Sequence, residues 1–182
     1  MDFAAISNML LELFYILIGI MMLSTTVLSL KDKSNPARYG TALFWALLGI
    51  IFIFGHKLPY NVVGGMLVVI GILTFTKQVK PGTIKDLDYK FGEDQANKLG
   101  IKIFLPPLMI AIAALVIAQF TPISGTASIG VAAILAMITT FIVTKANPKM
   151  FVEDSHRMIQ SVGTTSILPQ LLAALGAVFT AA

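Results

Sequence analysis

Five long apolar runs, almost free of charge, constrain this chain more than any other feature of its sequence. A helix rises about 1.5 Å per residue, so a run of about 20 residues spans the hydrocarbon core of a bilayer. Only 12% of the residues are charged, whereas soluble domains carry about 25%. We therefore expect an all-α membrane protein embedded in the lipid bilayer. The predicted spans are Leu10–Leu30, Tyr39–Gly55, Leu58–Thr76, Ile103–Phe120 and Ala127–Thr144.

Several functional classes are disfavoured by composition. The chain has no cysteine, which excludes disulfides and thiolate metal sites. The histidines His56 and His156 lie far apart and form no metal-binding spacing, so we expect no metal and no bound cofactor. The net charge of +4 does not indicate a nucleic-acid partner, because the lysines lie between apolar spans. An enzyme is not expected, because no charged residue lies deep in a span and Glu12 is close to a boundary.

The basic residues alternate from one connection to the next. From the N-terminus onward, the stretches outside the spans contain none, three, one, six, none and three Lys or Arg residues. Lys and Arg concentrate in cytoplasmic loops of membrane proteins. We therefore predict that the N-terminus lies outside and that twelve of the thirteen basic residues lie inside.

Residues 77–100 form a polar connection that is longer than the others. Thr83 is followed three residues later by an acidic residue, as in a capping box, and Gly100 is a typical helix stop. The pattern predicts a short amphipathic helix that lies on the cytoplasmic surface. The apolar residues expected on one face of that helix are Ile84, Leu87 and Phe91.

Small residues recur at helical spacing in three of the spans, which predicts helix packing because small residues let helices approach closely. The three sets are Ala42, Ala46 and Gly49; Gly64 and Gly71; and Ser128, Ala132 and Ala136.

The last apolar segment, Met158–Ala182, is uncharged and is interrupted by turn-forming residues. Two structures fit it. One is a plain sixth span, and the other is a re-entrant helical hairpin over about residues 150–182, with a second helix that starts at mid-membrane. Gly163 allows backbone angles closed to other residues, hydroxyl side chains follow it, and Pro169 suits the first turn of a helix. A helix start inside an apolar segment favours the broken helix.

Irregular backbone at membrane depth survives only when it is buried in protein or lines a cavity, and secondary transporters bind substrate at such breaks. The free N–H groups of the second half-helix suit a carboxylate, and opened carbonyls suit a sodium ion. We therefore predict a small anionic substrate, with sodium or a proton as coupling ion. The predicted substrate-binding residues are Gly163, Thr164, Thr165, Ser166 and Gln170.

The chain stops at Ala182, inside an apolar run. Carriers of this kind commonly consist of two inverted repeats. We expect residues 1–182 to form a single transmembrane domain that corresponds to one half of such a transporter.

Four stretches resemble a known family: LLELFYILIGI, DKSNPARYGTALFWALLGIIFIFG, LTFTKQVKPGTI and ILPQLLAALGAVFTAA. They are similar to the larger membrane subunit of a bacterial two-subunit 5-oxoproline transporter family, a former domain of unknown function related to the ion-transporter superfamily. The resemblance implies an elevator-type carrier in the bacterial inner membrane, with a second membrane subunit as partner. It also implies a hairpin tip at Gly163, Thr164, Thr165 and Ser166, where Gly-Thr-Thr-Ser replaces the superfamily's usual Ser-Asn-Thr.

Three functional hypotheses remain open on the sequence. The first is a subunit of a cation-coupled secondary transporter for a small carboxylate, working with a second subunit or as a homo-oligomer. The second is the substrate-binding membrane subunit of an ATP-driven vitamin-uptake system, which requires a full sixth crossing. The third is a structural membrane protein without a ligand.

Overall fold

In a computed structural model, the chain is described over residues 3–80, 89–145, 147, 151–152, 154–155, 157–159 and 161. Every regular element within these ranges is helical, so the prediction of an all-α protein is confirmed. A short 3-10 helix, Gly100–Phe104, joins α4 to α5. The α-helices are α1 (Phe3–Lys31), α2 (Arg38–Phe54), α3 (Tyr60–Phe75), α4 (Tyr89–Leu99), α5 (Leu105–Phe120) and α6 (Gly125–Thr144).

The five predicted spans all coincide with apolar helices. Three helical stretches, Phe3–Lys31, Gly92–Phe120 and Gly125–Thr144, are long and apolar enough to cross a membrane, which indicates a membrane protein. The helices α2 and α3 are apolar but have 17 and 16 residues, or about 25 Å of length. Their crossing of the bilayer, the choice of membrane and the outside N-terminus stay predictions.

The polar connection after α3 is helical over part of its length. The amphipathic helix predicted there corresponds to α4, which begins at Tyr89 and ends where Gly100 adopts a φ of +50°. Gly100 is therefore the stop that the sequence predicts, since only glycine adopts this angle without a steric cost. The other residues of this prediction are Thr83, Ile84 and Leu87, and all three lie outside the described residues. The side chain of Phe91 is also outside them.

The end of α3 has the geometry of a Schellman motif. The Gln78 N–H donates to the Leu73 carbonyl at 2.9 Å, and the Lys77 N–H donates to the Thr74 carbonyl at 3.1 Å. Lys77 has a φ of 55°, a position usually taken by glycine. The chain therefore changes direction at Lys77, before residues 78–80.

The chain divides into two compact units, described here one at a time. Unit 1 comprises Met1–Leu17 and Asp86–Phe151, and unit 2 comprises Ile18–Lys85 and Val152–Ala182. The helix α1 therefore contributes residues to both units. The prediction of a single transmembrane domain over 1–182 stays a prediction.

Unit 1 is held together by α5, α6 and the first half of α1. The helices α5 and α6 pack against each other, and the predicted small-residue set of α6 is buried. A Cβ atom added to Gly130 would lie 2.3 Å from the ring of Phe14, so α1 and α6 approach closely there. The Ser7 hydroxyl accepts a hydrogen bond from the backbone N–H of Ser124, the residue that caps α6.

Unit 2 has an aromatic core between α2 and α3. Phe44 and Trp45 pack edge to face with ring centroids 5.1 Å apart, and Ile70 completes the buried cluster. The helix α1 meets α2 through two glycines, because a Cβ atom on Gly19 would lie 2.9 Å from the Gly49 carbonyl oxygen. The partly buried residues around the core are Met22, Leu47, Leu48, Ile51, Leu73, Val79 and Ile159.

Candidate functional site

The five predicted substrate-binding residues lie outside the described residues. What the structure describes is the chain that leads to them and the part of unit 2 that this chain reaches. We refer to the described residues of 151–161 as the entry segment; all of them are helical. The predicted site residues are Gly163, Thr164, Thr165, Ser166 and Gln170.

One side of the entry segment is polar. The Arg157 guanidinium donates to Oδ1 of Asp154, with Nη2 at 2.8 Å and Nε at 2.9 Å. Their side chains are 29% and 52% exposed, respectively, so this ion pair lies at the surface. A surface ion pair between residues three apart on a helix contributes little to stability. Asp154 and Arg157 are therefore a solvated face of the helix, and they form no buried acid–base pair.

The other side of the entry segment is apolar and contacts the core of unit 2. Ile159 packs against the cluster formed by Phe44, Trp45 and Ile70. Phe44 and Trp45 lie just before the midpoint of α2, and Ile70 lies just past the midpoint of α3. In the predicted topology this is the cytoplasmic half of both helices. The predicted hairpin therefore follows a segment that contacts that half of unit 2.

Two hydroxyl groups of α1 are buried in unit 2. Thr25 and Ser29 are each 1% exposed. The Thr25 hydroxyl donates to the Met21 carbonyl at 3.0 Å, as a threonine in a helix commonly does. Ser29 Oγ is buried and has no hydrogen-bond partner among the described residues. A buried polar atom without a partner costs about 1–3 kcal/mol, so Ser29 marks a position where a partner would be stabilising.

The level of these hydroxyls along the unit follows from the pairing of α1 with α2. Gly19 lies against Ile53 and Gly49, and Leu23 also lies against Gly49, so the two helices run antiparallel. This register places Thr25 and Ser29 level with the first half of α2. They are therefore in the same half of unit 2 as the contact made by Ile159.

Three residues, Asn35, Thr41 and Lys80, tie the connection between α1 and α2 to the chain that follows α3. We call them the loop clamp. Asn35 Nδ2 donates to the Lys80 carbonyl at 3.0 Å, and the Thr41 hydroxyl donates to the same oxygen at 3.1 Å. The Lys80 N–H donates back to Thr41 Oγ1 at 3.1 Å. Asn35 and Thr41 are both buried, so these bonds are shielded from water.

The loop clamp is supported on either side. Asn35 Oδ1 accepts from the Ala37 N–H at 2.9 Å, which fixes the side chain in the turn before α2. Gly40 lies directly against the backbone of Gln78, because an added Cβ atom would be 2.4 Å from the Gln78 carbonyl oxygen. The backbones of residues 35–41 and 78–80 are therefore in close contact.

Sequence reasoning did not identify these residues. Asn35-Pro36 is a dipeptide that favours turns, and it could have indicated an ordered loop. No local pattern distinguishes Ser29 from the exposed Ser24, five residues earlier in the same helix. Within the described ranges no three His, Asp or Glu side chains come together, so this part of the chain offers no candidate metal site.

A protein-family model described as "Protein of unknown function (DUF979)" matches residues 12–182. No curated protein and no solved structure matches the chain. The family match extends over the buried hydroxyls, the loop clamp and all the predicted site residues.

Proposed function

The chain belongs to the DUF979 family, proteins of unknown function, and for this member we propose a role as a subunit of a secondary active transporter for small carboxylates. Its first candidate substrate is 5-oxoproline, on the resemblance of its sequence to the larger subunit of such carriers. It is a carrier and not an enzyme, it crosses the bacterial inner membrane five times with its N-terminus outside, and a re-entrant hairpin follows the fifth span.

The proposal rests on a sequence pattern that predicts a helix start inside an apolar segment. The residues Gly-Thr-Thr-Ser at 163–166, followed by Pro169, suit the beginning of a helix at membrane depth. The entry segment is compatible with the hairpin, because Ile159 packs on the core of unit 2 while Asp154 and Arg157 remain at the surface. This arrangement suits a helix that passes from water into the membrane just before the break.

The chemistry of the proposed site follows from a broken helix. Free N–H groups at the start of the second half-helix bind the substrate carboxylate, and the positive end of the helix dipole adds to the attraction. The hydroxyls of Thr164, Thr165 and Ser166 donate further hydrogen bonds, and the Gln170 amide lies one turn later. A sodium ion or a proton is the coupling cation.

The transporter works by an elevator mechanism with inverted repeats, of which this chain supplies one. A second membrane subunit completes the site, since such sites lie at the interface between two repeats. Oligomers of the chain itself are compatible with the same mechanism.

The test is uptake by cells that express the chain together with its second membrane subunit. We expect Thr164→Ala combined with Thr165→Ala to abolish uptake of labelled 5-oxoproline, because both hydroxyls leave the site. The amount of the variant in the membrane should equal that of the unchanged protein on an immunoblot.

The matched control is Thr139→Ala combined with Thr140→Ala in α6. These hydroxyls donate to carbonyls of their own helix, Leu135 and Ala136, each at 2.8 Å. We expect the control to retain uptake. Unchanged uptake in the Thr164 and Thr165 variant would contradict the proposed site.

A further inference from the structure

Five basic residues lie at one end of unit 2, where α1 ends, α2 begins and α3 ends. We call them the basic patch. They come from two stretches that are far apart in the sequence, residues 31–38 and residues 77–80. The members of the basic patch are Lys31, Lys33, Arg38, Lys77 and Lys80.

The loop clamp brings the two stretches of the basic patch together. The Lys80 carbonyl accepts hydrogen bonds from both Asn35 and Thr41, at 3.0 and 3.1 Å. Asn35 lies between Lys33 and Arg38 in the sequence, so the backbone that carries Lys80 lies beside the backbone that carries those two residues. The contact of Gly40 with Gln78 extends the same junction. The patch is therefore a product of the fold.

The charge of the basic patch is only partly balanced within it. The same stretches contain one carboxylate, Asp32, which accepts a hydrogen bond from the Ser34 N–H at 3.0 Å. Among the described residues, no ion pair joins any of the five basic side chains to a carboxylate. The side chains of Lys31, Lys33, Lys77 and Lys80 are exposed. Within these two stretches, five positive groups and one negative group leave a charge of +4.

Two exposed aromatic residues set the depth of the basic patch. Tyr39 is 67% exposed at the start of α2, and Phe75 is 90% exposed at the end of α3. The Arg38 guanidinium lies 4.7 Å from the centroid of the Tyr39 ring and donates to its hydroxyl at 2.8 Å. Tyrosine side chains at the ends of apolar helices favour the boundary between lipid tails and headgroups, because the ring is apolar and the hydroxyl is polar. In the predicted topology we therefore expect the basic patch at headgroup depth.

We propose that the basic patch binds the phosphate headgroup of an anionic phospholipid. Lys and Arg side chains donate charge-assisted hydrogen bonds to phosphate oxygens, and basic pockets between membrane helices recognise such headgroups. A soluble phosphate has the same chemistry. The lipid is favoured because the exposed Tyr39 at the start of α2 favours the level where headgroups are concentrated.

The test compares lipids retained by the purified full chain in detergent, measured by native mass spectrometry. The chain is supplied with equal amounts of phosphatidylglycerol and zwitterionic phosphatidylcholine. We expect phosphatidylglycerol to be retained at least about tenfold in preference. The variant Lys33→Gln with Arg38→Gln and Lys80→Gln should lower this preference to near unity.

The matched control removes three positive charges from unit 1, as Lys98→Gln with Lys102→Gln and Lys145→Gln. It should keep the preference, because it leaves the basic patch unchanged. An equal loss in both triple variants would overturn the proposal, since net charge alone would then explain lipid retention.

Two further measurements keep the proposal testable if the triple variant does not fold. The single variant Lys80→Gln should fold, because the backbone bonds of Lys80 in the loop clamp remain. It should lower the preference for phosphatidylglycerol by about fivefold, because one positive charge near the membrane surface is worth about 1 kcal/mol. Inorganic phosphate, added to the unchanged protein, should displace no more lipid than chloride at the same ionic strength. Displacement by phosphate alone would assign the patch to a soluble anion and overturn the lipid proposal.

Discussion

At the scale of single residues, the hydroxyl groups of α1 in unit 2 differ in their hydrogen bonding. Ser24, Thr25 and Thr26 each donate to the carbonyl one turn earlier, at 3.0 to 3.1 Å. Ser29 is as deeply buried as Thr25, yet its Oγ has no partner among the described residues. A desolvated hydroxyl without a partner lowers stability unless something binds it.

We expect Ser29→Ala to raise the stability of the isolated chain by about 1–2 kcal/mol, because it removes a buried unpaired polar atom and improves helix propensity. Thermal unfolding in detergent can be followed by the fluorescence of Trp45, which is the single tryptophan and lies in the buried core of unit 2.

The control for helix propensity is Ser24→Ala, since Ser24 is exposed on the same helix. It should gain about 0.5 kcal/mol or less. A lower melting temperature for Ser29→Ala than for the unchanged chain would show that the Ser29 hydroxyl has a partner in the folded protein.

At the scale of elements, the loop clamp fixes how α2 and α3 are joined to the chain around them. Asn35 and Lys80 are 45 residues apart in the sequence, yet the Asn35 side chain donates to the Lys80 carbonyl. The same side chain accepts from the Ala37 N–H just before α2 begins. One buried amide thus orders two connections.

We expect Asn35→Ala to destabilise unit 2 by about 2 kcal/mol, because the buried Ala37 N–H loses its partner and the Lys80 carbonyl keeps only the bond from Thr41. The measurement is again thermal unfolding followed by Trp45 fluorescence. Asn61→Ala is the matched control, since the exposed Asn61 side chain bonds only the adjacent Val62 N–H, at 3.1 Å. Equal losses in the two variants would contradict a structural role for the loop clamp.

Small-residue patterns in two helices led to opposite outcomes. Ser128, Ala132 and Ala136 of α6 are buried, as their spacing predicts. Gly64 and Gly71 of α3 have the same kind of spacing, yet a Cβ atom on either would meet no described residue within 4 Å. The spacing indicates a surface that allows close approach, but whether a neighbouring helix occupies it depends on the arrangement of the other elements.

At the scale of the whole molecule, the distribution of charge predicts how the chain lies in the membrane. The connection between α1 and α2 is predicted to be cytoplasmic, and the connection between α2 and α3 is predicted to lie outside. Because the chain contains no cysteine, single cysteines can report on each connection without interference.

We expect a membrane-impermeant maleimide to label Lys57→Cys in intact cells and to label Ser34→Cys only after the membrane is permeabilised. A tag placed after Ala182 should be accessible from the cytoplasm, because a re-entrant hairpin returns to the side where it entered. Reversed labelling of the two cysteines would contradict the topology, and an external tag would favour a sixth crossing over the hairpin.

The sequence alone determined the all-helical class, the positions of the apolar helices and the stop at Gly100, because hydropathy and helix-stop preferences are local properties of the chain. The extent of membrane crossing and the identity of the substrate stay predictions, as do the site residues at 163–166 and Gln170. The site residues lie outside the described residues. Membrane crossing depends on the lipid bilayer, and substrate choice depends on the completed site.

Only the tertiary structure decided which polar groups are buried and which basic residues lie together. Thr25 and Ser29 become buried through their place in unit 2, and Lys80 joins Lys33 and Arg38 through hydrogen bonds to Asn35 and Thr41. The physical reason is that burial and charge clustering are set by residues distant in the chain, which no local spacing records.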